Sequence, residues 1–247
     1  MLPLGILRLD TRFPRIYGDA GNAATWPFAV RIRTVSDATP ERVVRNRADG
    51  LVDAFIAAGC ALADEGVAGI TTTCGFLCLH QRTLAAALPV PFASSSLLQA
   101  PVVARMVPSG RVGILTIDRK SLTPAHLAAV GIDAATPIED AGDGHLAAVF
   151  LGDGRELDPA TATAELIAAG GRLLAREPGL GALVLECANL PPYAGALRRA
   201  LGVPVYDWYS MVAGFVAGLA PREFLAPGHA LPDTAGDGTR LDTRGSA

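Results

Sequence analysis

Apolar residues come in short runs separated by turn-forming clusters, and the runs alternate with longer amphipathic stretches. Residues 4–9, 28–35, 67–72, 90–92, 111–117, 182–186 and 203–206 read as strands, several apolar enough for a sheet buried on both faces. Helical periodicity predicts helices over about 48–64, 76–87 and 209–219, and others beginning at Thr123, Asp158 and Pro192. Thr39-Pro40-Glu41, Thr123-Pro124 and Asp158-Pro159 are helix starts, a capping side chain followed by proline at the first helical position. Strands alternating with helices imply parallel sheets. Residues 10–27 are longer than a routine connection and punctuated by Gly, Pro and Asn, which suits a segment covering a site. Residues 227–247, rich in Gly, Asp and Thr, are expected to form a weakly ordered tail.

The pattern repeats. Gly66-Val-Ala-Gly-Ile-Thr-Thr-Thr-Cys74 is echoed by Gly181-Ala-Leu-Val-Leu-Glu-Cys187, at an offset of 187 − 74 = 113. The same offset carries Leu84 onto Leu197 and Val90-Pro91 onto Val203-Pro204. Gly5-Ile-Leu-Arg-Leu-Asp10 returns as Gly113-Ile-Leu-Thr-Ile-Asp118, at 113 − 5 = 108. The expected fold is therefore α/β, with two pseudo-twofold-related domains, each a short parallel sheet flanked by helices. Residues 1–98 form the first and 99–206 the second. In open α/β sheets ligands bind beyond the carboxyl ends of the strands. Both cysteines sit at such ends, so the active site is expected in the cleft between the domains.

Composition narrows the partners. The net charge of −3 offers no basic surface for nucleic acid. No apolar run reaches the ~18 residues of a membrane span. A cytoplasmic location is expected, and four cysteines there read as thiols rather than a disulfide framework.

A thiolate is a competent base and a thiol a competent acid when the pKa lies near working pH. Each cysteine precedes a predicted helix, whose N-terminal amides favour the thiolate. Two such groups flanking one carbon can remove a proton from one face and return one to the other, with no cofactor and no metal. The charge that develops needs fixed donors: Gly75, Phe76, Ala188 and Asn189 supply them, with Thr11 and Thr73.

These residues carry a resemblance. Ile70-Thr-Thr-Thr-Cys74-Gly-Phe, Leu185-Glu-Cys187-Ala-Asn-Leu-Pro-Pro and the paired Gly-Ile-Leu-x-Leu/Ile-Asp motif resemble the aspartate/glutamate racemase superfamily over about residues 4–220. The resemblance implies a cofactor-independent racemase or epimerase of an amino acid or related carboxylate. Cys74 and Cys187 would be its two bases, and Asp10, Thr11, Thr73, Gly75, Phe76, Thr116, Ala188 and Asn189 would hold the substrate. It also implies a homodimer, and a returning C-terminal helix that adds residues 207–226 to the first domain. Gly75-Phe76 and Ala188-Asn189 depart from the glutamate-racemase pattern of Asn-Thr after the first cysteine and Thr-His after the second, and Cys-Ala is closer to hydantoin racemases. A maleate-type cis–trans isomerase, with one cysteine adding to the double bond, also keeps both thiols. A two-domain small-molecule binding protein without turnover is the alternative outside enzymes.

Plainer roles fit the remaining candidates. Cys60 and Cys78 read as small buried hydrophobes, His126, His145 and His229 as surface residues, and Glu139-Asp140 as a loop cap. Glu186 reads as pointing away from Cys187.

Overall fold

The computed structural model describes residues 2–222, so the expected tail and His229 lie outside the described residues. Its eight strands form two all-parallel sheets. The first contains β1 (Leu4–Leu9), β2 (Val30–Val35), β3 (Gly69–Thr72) and β4 (Phe92–Ala93), in the order β2-β1-β3-β4. The second contains β5 (Val112–Thr116), β6 (Ile138–Asp140), β7 (Ala182–Leu185) and β8 (Val205–Tyr206), in the equivalent order β6-β5-β7-β8.

The helices are α1 (Val52–Asp64), α2 (Gln81–Ala87), α3 (Ala100–Met106), α4 (Pro124–Ala129), α5 (His145–Phe150), α6 (Pro159–Arg176), α7 (Pro191–Leu201) and α8 (Trp208–Leu219). The repeated glycine of the strand motif has one physical cause in both sheets. A Cβ on Gly5 would meet Ile70 at 3.0 Å and Leu62 of α1 at 3.3 Å. On Gly113 it would meet Leu180 at 2.7 Å and Leu173 of α6 at 2.9 Å. Each central strand needs a bare backbone where a helix leans onto it.

The last helix returns to the first sheet. Asp207 caps α8 by accepting from Ser210 N (2.8 Å), and Trp208, Val212 and Val216 are buried with Leu4 and Ile6. Among the described residues, no helix is long and apolar enough to cross a membrane.

Local details differ from the pattern-based expectation. Residues 41–45 make a π-helical turn, and Arg47 and Ala48 take left-handed φ of 56°, so α1 begins at Val52. A 3-10 turn, Gly75–His80, precedes α2. Of Glu139-Asp140, which end β6, only Asp140 caps loops, accepting from Gly142 N (3.1 Å) and Arg119 N (2.8 Å), while Glu139 pairs with Arg172 (3.2 Å) and Arg176 (2.6 Å) of α6. That edge strand is short and largely polar, so it carries no apolar run to read.

Candidate functional site

β3 ends in Thr73-Cys74 and β7 in Glu186-Cys187, the same place in the two equivalent sheets. Both thiols line one narrow cavity of about 20 Å³. Its other walls include Leu9, Phe13, Thr73, Gly75, Phe76, Ile117, Phe150, Glu186 and Asn189. The strand ends meet closely. A Cβ on Gly75 would lie 2.4 Å from the Glu186 carbonyl oxygen, so the crossing requires glycine. Ser96 Oγ, from the first half, donates to the carbonyls of Leu185 (2.6 Å) and Glu186 (3.1 Å). Thr72 Oγ1 accepts from Cys74 N (3.2 Å) and donates to Ser94 O (2.8 Å), which fixes the backbone that presents the first thiol.

Electrostatics correct one expectation. Burial pushes both thiols above their ordinary range and the Glu186 carboxylate adds to it; the N–H groups of Phe76 and Leu77 at Cys74, and of Asn189 at Cys187, offset only part. Desolvation outweighs the helix-start amides, so burial favours the protonated form of both thiols. Glu186 itself is fully buried and pushed up to about 8, by desolvation and the nearby Asp118, against a hydrogen bond from Thr116 Oγ1 to Oε2 (2.8 Å).

The long 10–27 segment supplies a second layer. Cys187 Sγ donates to Asn189 Oδ1 (3.3 Å), and Asn189 Nδ2 donates to Asp19 Oδ2 (2.6 Å). Asp19 Oδ1 accepts from Arg15 (2.9 Å) and Gly21 N (2.7 Å), and Arg15 Nη2 donates to Thr11 Oγ1 (3.0 Å). An ionised carboxylate only accepts, so Asp19 turns the amide nitrogen toward itself and leaves the amide oxygen facing Cys187. The segment is tied to the second half by Arg12 N and Nε on Asp153 (2.6 and 2.8 Å) and by Phe13 edge-on to Phe150 (5.1 Å). Asp19→Asn breaks the buried Arg15–Asp19 pair. It is expected to lower stability by roughly 3 kcal/mol, read as a lower urea midpoint at unchanged m-value.

Six of the ten expected site residues share the cavity: Cys74, Cys187, Thr73, Gly75, Phe76 and Asn189. The other four do not line it. Asp10 is exposed and accepts from Asp37 N (3.3 Å), while Thr11 holds Arg15. Thr116 holds Glu186, and the Ala188 carbonyl accepts from Ala20 N (3.0 Å). Sequence reasoning missed Asp19, Arg15, Phe13 and Phe150, and turned Glu186 the wrong way. An acidic residue closing an otherwise apolar strand beside a cysteine was the available signal for Glu186. Nothing in the 10–27 segment marked Asp19.

His126 is also corrected: it is 0 % exposed, not on the surface. Its ring meets Phe76 edge-on at 5.7 Å, Nδ1 accepts from Thr123 N (3.2 Å), and burial pushes it down to about 4. Cys78 is buried, its thiol facing the His126 carbonyl at 3.6 Å.

These shifts give stability two opposed slopes. His126, depressed in the fold, contributes stability that is lost as pH falls from 6.5 through about 4. Glu186, raised in the fold, contributes stability present below 4.5 and lost as pH rises through about 8. Between pH 6.5 and 8 the Glu186 slope acts without that of His126. Glu186→Gln is expected to remove about 2 kcal/mol of decline over that interval, measured as Tm against pH.

The profile of the Asp/Glu/Hydantoin racemase family matches residues 23–215. Dimethylsulfoniopropionate lyase 5 of Emiliania huxleyi (strain CCMP1516) is 28% identical over 226 residues, 85% of this chain and 44% of that protein. A dimethylsulfoniopropionate lyase of Durusdinium sp. clade D is 27% identical over 240 residues, 92% of this chain and 78% of that one. The chain thus spans less than half the length of the first of these relatives. Among solved structures, an allantoin racemase from Klebsiella pneumoniae superposes with a TM-score of 0.63 at 23% identity, covering 91% of this chain and 95% of that one. An arylmalonate decarboxylase gives 0.60 at 16% identity, covering 91% and 96%. These structural likenesses show a shared fold.

Proposed function

The chain belongs to the Asp/Glu/hydantoin racemase family, and on that premise we propose that it is a cofactor-independent enzyme moving a proton at the carbon beside a carboxylate. One observation carries the proposal: Cys74 and Cys187, from equivalent strand ends of the two sheets, line the same small cavity. A substrate carbon held between them loses its proton to one sulfur as thiolate, and the enolate-like charge spreads onto the substrate carboxylate. The N–H groups facing the sulfurs stabilise the anions that form. Return of a proton from the other thiol to the opposite face completes a racemisation or epimerisation. Asn189 Oδ1, facing Cys187, favours the protonated thiol there, so Cys74 takes the first proton and Cys187 gives one.

A second reading rests on the curated relatives, which are named dimethylsulfoniopropionate lyases. The first step is shared. The electron pair left at the α-carbon then forms a double bond to the β-carbon, and the β-substituent departs with its bonding pair, so an alkene and a sulfide leave together.

Proton NMR in D₂O separates the outcomes over a panel of amino acids, hydantoins, maleate and 3-dimethylsulfoniopropionate. Deuterium entering the α-carbon of an intact skeleton identifies a racemase or epimerase; alkene with released sulfide identifies a lyase. Fumarate formed from maleate identifies a cis–trans isomerase. Ligand-induced stabilisation with no turnover across the panel would overturn the proposal in favour of a binding protein.

A further inference from the structure

Glu186 places a buried carboxyl in the cavity with no cationic side chain among the lining residues. Glu186 is fully buried; Thr116 satisfies Oε2, while Oε1 has no hydrogen-bond partner among the described residues. Oε1 lies against Gly75, at the crossing of the two thiol-bearing strand ends. The residues lining the cavity include no lysine, arginine or histidine. They do include three phenylalanines, Phe13, Phe76 and Phe150, of which Phe13 already has the Arg15 guanidinium over its ring at 4.6 Å. A buried carboxylate oxygen without a partner is costly, and a site keeps one when a ligand completes it. Rings around a carboxylate suit a cation wrapped in apolar groups, since ring faces attract cations and the substituents replace lost water.

We propose that Glu186 is the specificity-determining residue of this cavity, selecting a carboxylic acid that carries a positively charged onium or ammonium substituent over its uncharged isostere. The inference rests on the α-proton reading for its site, not for its chemistry. A cation beside Glu186 neutralises the group that opposes ionisation of both thiols, so the charge that is recognised also eases formation of the base. The substrate's own carboxylate then lies toward the N–H groups of the helix starts, away from Glu186.

Calorimetric titration of the full chain with matched pairs tests this. In 3-dimethylsulfoniopropionate and 4-methylpentanoate, S⁺ replaces CH; in alanine and isobutyrate, ammonium replaces methyl. At least one cationic member is expected to bind about tenfold or more tighter than its isostere, equivalent to ~1.4 kcal/mol. The first pair responding alone identifies an onium site, the second alone an ammonium site. E186Q, which keeps the Thr116 contact, is expected to bring the ratio near one. Equal binding within both pairs by wild type, binding of neither pair, or a ratio that survives in E186Q would each overturn the proposal. Cation preference with neither α-proton exchange nor alkene release would instead sink the proton-transfer reading and leave this one standing.

Discussion

Cys74→Ser is expected to lower turnover by about a thousandfold or more, and Cys187→Ser likewise if the reaction is a racemisation, within the range set for a positioned acid or base. Serine keeps the size of the side chain and the hydrogen bond to Asn189, so the cavity and the Asn189–Asp19 contact survive. What is lost is acidity, because an alcohol ionises far above any pH at which the protein folds. The two variants differ in what remains. If a racemase, each retains slow α-proton exchange with a single enantiomer, through the remaining sulfur. If a lyase, only the variant lacking the base is silent, and Asn189 facing Cys187 makes that variant Cys74→Ser. Steady-state rates with the substrate found by NMR, alongside Tm values near wild type, check this.

Gly75→Ala is expected to do comparable damage by a different route. The added methyl would lie 2.1 Å from Glu186 Oε1 and 2.4 Å from the Glu186 carbonyl oxygen. A side chain can swing away, but the carbonyl belongs to the strand end that carries Cys187. Ser96 Oγ also holds that carbonyl (3.1 Å), so the two strand ends must separate or the turn after Cys74 must move. Overpacking of this kind costs about 3 kcal/mol, and the thiol spacing changes with it. Denaturant melts should show the loss of stability, and turnover should fall further than the folded fraction explains. A variant with wild-type stability and rate would mean that the strand ends do not need their close approach.

The sequence made the sheets legible because their strands are buried on both faces and read as unbroken apolar runs. The duplication was visible because Gly5 and Gly113 answer the same steric demand, and because Cys74 and Cys187 end equivalent strands. The rest depended on three-dimensional neighbours. Polar edge strand β6 has no apolar run. The left-handed Arg47 and Ala48, which delay α1, leave no trace in periodicity. His126 is buried only because Phe76 and the turn after Cys74 cover that side of α4. Asp19 matters through Asn189, 170 residues away, across a loop whose path no local pattern sets. The expected thiolates failed for a quantitative reason: helix-start amides were foreseeable, but the desolvation that outweighs them follows from how tightly the two halves close.

The most direct test is deuterium uptake at the α-carbon in D₂O, followed for wild type, each serine variant and the Cys74→Ser/Cys187→Ser double variant. Proton transfer to sulfur requires rapid uptake or turnover in wild type, at least a thousandfold less overall turnover in Cys74→Ser and, for a racemase, in Cys187→Ser as well, and none in the double variant. Undiminished exchange in the double variant would contradict it, because the proton would then be moving through some other group.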